Sequence, residues 1–140
     1  MANGTIAFDT LTTSDSVNTG TEKSIDTSYI FNGVNKAWLN MNGTGTIATR
    51  DSFNTASITD IGTGNHSTTF TNIFSAVDYI FTGNLGHAGG SRTTGGVTFD
   101  DYTGSPDATT SGYRFNTRRK DNATDTDCVT IMNKVCGDLA

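Results

Sequence analysis

From Ser28 onward the chain alternates apolar and polar positions with a period of two. In AWLNMN, Ala37, Leu39 and Met41 fall on one side and Trp38 and Asn40 on the other. That alternation predicts a half-buried strand. Further short runs of the same kind are TIATRDSFN, Ser57 to Ile61, HSTTFTN, DYIFTGN, GVTFDDY, GYRFN and CVTIMNKVC. The punctuation between them is glycine-rich: Asn42-Gly43-Thr44-Gly45, Gly62-Thr63-Gly64-Asn65, LGHAGGSRTTGG, and Gly104-Ser105-Pro106-Asp107. Asn-Gly favours the positive φ angles of tight hairpins. The turn signals recur at close to the roughly 8–12-residue spacing of all-β sandwiches and barrels. Only TNIFSAVD reads as a helical piece. The expected fold is all-β: a small antiparallel β-sandwich or barrel-like body over residues 29–140. A short extended N-terminal arm, 1–28, precedes it. In the arm only Ile6 and Phe8 alternate, and TLTTSDSVNTGTEKS offers little to bury.

Composition sharpens this picture. Only 34% of the 140 residues are hydrophobic and 16% are charged, with 16 Gly and one Pro. Disorder usually combines low hydrophobicity with high charge or abundant Pro. Here both are scarce and Thr favours strands, so the chain reads as a turn-rich β protein. Its small apolar share points to a core completed by copies of itself.

The net charge is −5, which argues against nucleic-acid binding through phosphate neutralisation. The one basic cluster, Arg118-Arg119-Lys120, is followed by Asp121, Asp125 and Asp127 and reads as a locally balanced loop. MANGTIAFDT shows neither the basic nor the apolar region of a signal peptide, and no run approaches the roughly 20 apolar residues of a membrane span. Synthesis in the cytoplasm is the expectation.

The candidate chemistry is sparse. Cys128 and Cys136 are eight residues apart, too far along one strand for a disulfide, so two buried free thiols are expected. His66 and His87 fall in glycine- and asparagine-rich contexts and read as surface loop residues. Asp100, Asp101 and Asp107, or Asp121, Asp125 and Asp127, supply oxygen ligands or acid pairs, but neither set has the EF-hand order. Backbone-bonding loop aspartates are the simpler reading. No nucleophile elbow or phosphate loop is present in the sequence. Tyr102 and Tyr113 flank the Pro106 loop; with Asp107 and His87 they form either a sugar-contacting surface or, for the tyrosines, the rim of a β core. No cofactor or metal is expected, and the chain reads as structural rather than catalytic.

Residues 35–71, NKAWLNMNGTGTIATRDSFNTASITDIGTGNHSTTFT, resemble a segment recurrent in tail-fibre and other virion structural proteins of tailed phages. The matching residues include Lys36, Ala37, Trp38, Gly43, Gly45, Arg50, Phe53, Asn54, Ile58, Asp60, Gly62 and Gly64. MANGTIAFDTLTTS and the terminal GDLA are similar to short fibre-like proteins of marine phages. The resemblance implies a role in the virion, a homotrimer, and no active site. A short fibre, a fibre tip or a decoration suits the length. Residues 1–28 would then attach to other virion proteins, and loops 83–96 and 102–112 would meet host surface glycans. Trp38, Leu39, Met41, Phe53 and Ile58 would fill the core or the subunit interface. The alternative is a free carbohydrate-binding β-sandwich module.

Overall fold

A computed structural model of the chain describes residues 10–12, 24–86, 95–99, 108–119 and 124–140. The chain divides into two compact units, Met1–Val34 and Asn35–Ala140.

In the first unit, β1 (Thr10–Thr12) pairs antiparallel with β2 (Ser24–Asp26), with Leu11 opposite Ile25. The helix α1 (Thr27–Gly33) follows directly. SYIFN lies within this helix. Asp26 stands just before the first helical residue, where a carboxylate suits the free N–H groups of a helix start. The Val34 amide donates to the Ile30 carbonyl at 3.3 Å, closing the last turn.

The second unit holds β3 (Ala37–Asn42), β4 (Ala48–Phe53), β5 (Thr55–Gly62), β6 (Asn65–Phe70), β7 (Ile80–Gly86), β8 (Gly95–Phe99), β9 (Ala108–Thr109), β10 (Gly112–Arg119) and β11 (Thr130–Cys136). They build two antiparallel sheets. One has the order β4-β3-β11-β7. The other has the order β5-β6-β10-β8, with β9 also paired to β10. The two sheets pack face to face as an all-β sandwich.

Side-chain alternation sets which face turns inward. Ala37, Leu39 and Met41 of β3 and Ile131 and Val135 of β11 are buried from the first sheet. Phe70 of β6 and Tyr113 and Phe115 of β10 meet them from the second. Ile58 is half-buried against this cluster. An aromatic group carries much of the core, with ring centroids at 4.7 Å for Phe70–Phe74, 4.8 Å for Phe74–Tyr79 and 4.9 Å for Phe81–Tyr113. Such tilted contacts add to the burial of the rings themselves.

The run TNIFSAVD is not helical. Its backbone donors go to distant partners: Phe74 N–H to the Thr110 carbonyl at 2.8 Å and Ser75 N–H to the Asp138 carbonyl at 2.9 Å. Phe74 also forms an isolated antiparallel bridge with Leu139. Burial of Phe74 outweighs a helix of two turns, which is marginal alone.

The sheets approach each other on both flanks. On one side a single segment passes from β4 in one sheet to β5 in the other through Asn54. On the other side Gly83 of β7 lies against β8, where a Cβ on Gly83 would come within 2.8 Å of the Val97 Cβ. Only glycine allows that approach.

Candidate functional site

The block whose sequence is most distinctive, residues 35–64, forms the joint between the sheets. Asn54 has φ of 54°, a left-handed conformation that asparagine tolerates better than most residues. Its Nδ2 donates to the carbonyls of Lys36 and Asn72, both at 3.0 Å, and its Oδ1 accepts from the Asn72 amide at 2.6 Å. A strand that changes sheets at a bend is the corner device of packed sheets.

Arg50 is the extra residue of a β-bulge: Asn40 faces Asp51 and Met41 faces Thr49. The bulge turns the guanidinium toward the entry of β11, where it donates to the Met41 carbonyl at 3.0 Å, Thr130 Oγ1 at 3.2 Å and the Val129 carbonyl at 2.5 Å. The β5–β6 turn is fixed in the same manner. Asp60 accepts from the Gly62 amide at 3.1 Å, and Asp127 accepts from the Gly64 amide at 2.6 Å. Asn42 closes the β3–β4 turn by bonding Thr44, and the positive φ falls on Gly45 rather than on Asn42 or Gly43.

Trp38 and Phe53 are not core residues. They sit directly opposite each other on the outer face of the first sheet, and Lys134 is on the far side of Trp38. Trp38 is half-buried and Phe53 is 54% exposed; Met132 and Ile80 are also exposed, at 43% and 68%, with Lys134 between them on β11. Leu39 and Met41, by contrast, lie in the core as expected.

The surface-contact reading of Tyr113 is overturned. Its side chain points between the sheets, is 4% exposed, and has its hydroxyl pushed up in pKa by burial, with Asn133 beside it opposing. The alternation of GYRFN, buried at Tyr113 and Phe115, is the physical reason. Tyr102, Asp107 and His87 lie outside the described residues, as do Asp100, Asp101 and Asp121. Asp125 and Asp127 have structural partners. Arg118 Nε donates to Asp125 Oδ1 at 2.8 Å, an exposed pair. Such a pair contributes about 0–1 kcal/mol. Among the described residues no three His, Cys, Asp or Glu side chains group as a metal site. Both cysteines are free, with Cys128 buried and Cys136 only half-buried.

A shallow groove of about 220 Å³ runs over Gly112 between Ser67, Thr69, Thr109, Ser111 and Arg114. Within it Thr109 Oγ1 and Ser111 Oγ lie 3.2 Å apart, and Thr69 Oγ1 bonds Ser57 Oγ, outside the groove, at 2.6 Å.

His66 is the residue that sequence reading missed. It lies in β6, not in a loop, and is fully buried. The signal was present in HSTTF, where His66, Thr68 and Phe70 alternate on one side. Comparison with family models, with curated proteins and with solved structures found no match to this chain.

Proposed function

We propose that the chain is a virion structural protein of a tailed phage, a short fibre or decoration. Its body assembles with copies of itself, as a homotrimer, through the outer face of the first sheet. The N-terminal unit attaches to other virion proteins. The observation that carries this reading is the pair Trp38 and Phe53, directly opposite each other on the outer face of the first sheet, with Met132 exposed on the same face. A large aromatic pair turned to water on a small domain marks an interaction site. Symmetric copies of one chain are the usual occupant. The resemblance of residues 35–71 supplies the virion setting, and the joint residues Arg50, Asn54 and Gly64 give that segment an architectural role.

The test is the mass of the full chain by light scattering at micromolar concentration, beside a Phe53→Ser/Met132→Ser double variant. A trimer for the parent and a folded monomer for the variant are expected. A monomeric parent would overturn assembly and bring the carbohydrate-binding module forward. A variant that remains trimeric would move the interface off this face.

A further inference from the structure

His66 is set between the sheets with its ring centroid 5.5 Å from that of Phe115 and tilted by 43°. Its Nε2 lies under Gly43, where a Cβ would sit 3.2 Å from Nε2 and 3.1 Å from the Cys128 carbonyl oxygen. Neither Nδ1 nor Nε2 has a hydrogen-bond partner among the described residues. A buried imidazole in that setting is tolerated only while neutral, because burying an unpaired charge costs far more than burying a polar group.

The groups that face it are few. Asp60 comes from β5, where it is the register partner of His66. Asp127 and the Cys128 carbonyl come from the segment that leads into β11. From β3, β10 and β11 the neighbours carry no charge: Gly43 just after β3, Phe115 and Ile131. Asp127 is already engaged, since it holds the Gly64 amide at 2.6 Å. Gly64 in turn accepts from the Thr117 amide at 2.7 Å, and Thr117 accepts from Thr126 at 2.9 Å. The turn, β10 and the segment before β11 are therefore tied together beside the imidazole.

We propose that His66 is an acid-sensitive latch on this tie. One proton from solvent, bound at Nδ1 or Nε2, turns the ring into a buried cation. The cation leaves the core toward the carboxylates of Asp60 and Asp127, and Asp127 exchanges the Gly64 amide for the imidazolium. The β5–β6 turn and the 124–128 segment are released together. Burial holds the imidazole below its ordinary value of 6.5, and Asp60 and Asp127 pull in the opposite direction without prevailing. The unfolded or opened chain then binds the proton more readily than the closed one. Closure is complete above about pH 6.5 and is lost as pH falls through the lower folded value. This inference is independent of the assembly reading.

The chain contains two histidines, His66 and His87, so imidazole C–H resonances report each one. In a titration of the full chain from about pH 8 to pH 4, His66 should stay neutral through the pH range where a free imidazole titrates. It should gain its proton only together with loss of protection at the Gly64 and Thr126 amides. A His66 that titrates near its ordinary value with those amides still protected would overturn the latch. In parallel, the urea midpoint should fall from pH 7.5 to pH 5 in the parent and in His87→Gln, and fall distinctly less in His66→Met. An equal fall in His66→Met also overturns it. Should His66→Met fail to fold, the titration of the parent decides alone.

Discussion

Asn54 and Asn72 exchange two hydrogen bonds, Asn72 N–H to Asn54 Oδ1 at 2.6 Å and Asn54 Nδ2 to the Asn72 carbonyl at 3.0 Å. Together with the bond to Lys36 they hold the corner where one strand leaves its sheet and enters the other. Asn54→Ala removes three hydrogen bonds of about 1 kcal/mol each and places a Cβ residue in the left-handed region without a side chain to anchor it. We expect a loss of about 2–4 kcal/mol in urea unfolding. Asn54→Gly should lose less, because it keeps the dihedral. Equal stability of all three proteins would mean that the corner is held elsewhere.

Gly45 and Gly64 separate two reasons for glycine. Both have positive φ, 61° and 66°. A Cβ on Gly45 meets nothing within 4 Å, whereas one on Gly64 would lie 2.5 Å from the Thr126 nitrogen and 2.7 Å from the Thr117 oxygen. Gly45→Ala should therefore cost only the dihedral penalty of about 1 kcal/mol. Gly64→Ala should cost about 3 kcal/mol, because two backbone segments must move. Thermal unfolding of the two variants side by side checks the order.

Tyr79 donates its hydroxyl to the carbonyls of Gly112 at 2.9 Å and Thr109 at 3.1 Å. Burial pushes its pKa up to about 12 from 10.0. The folded state thus keeps a proton that the unfolded chain releases above about pH 10, so stability falls as pH rises from 10 toward 12. Tyr79→Phe should be about 1 kcal/mol less stable than the parent at pH 8. That deficit should narrow by about pH 11, because the variant lacks this ionisation. Urea midpoints at both pH values report it, and parallel curves would contradict it.

The two thiols should react in sequence. Burial pushes the Cys128 thiol up in pKa, with Thr117 opposing, and only the thiolate attacks. Cys136 is half-buried, with its thiol donating to Asn35 Oδ1 at 3.2 Å. Native labelling at about pH 8 should therefore modify Cys136 first, and Cys128 only after denaturant is added. Mass mapping of the labelled peptides distinguishes the sites, and first labelling at Cys128 would contradict its burial.

Most of the strands could be read directly from the chain. The alternation of Ala37, Leu39 and Met41, the glycine turns after Asn42 and Gly62, and the run CVTIMNKVC all became the elements their patterns predict. Local signals failed where tertiary partners decided. TNIFSAVD has helical spacing, but Phe74 is buried and its amide is taken by Thr110. SYIFN, set between Asp26 and Gly33, forms a short helix by local signals alone.

The candidate site divides in the same way. The distinctive block at residues 35–64 was visible in the sequence, yet its task was not. Arg50, Asn54 and Gly64 act through partners far along the chain: Val129, Asn72 and Asp127. No spacing rule connects residue 64 to residue 127.

What the sequence determined by itself was the period of two, the positions of the turns and therefore an all-β chain of short strands. These follow from local sterics and from the alternation of side chains across a pleated backbone. Which apolar residues face inward was decided only by the tertiary structure. Trp38 and Phe53 are as apolar as Leu39 and Met41, but pairing of β3 with β11 fixed a register in which Leu39, Met41, Ile131 and Val135 share the inner side. Once that register is set, a pleated strand must send Trp38 to the outside, because neighbouring side chains cannot share a face. The same constraint carried His66 and Tyr113 into the core.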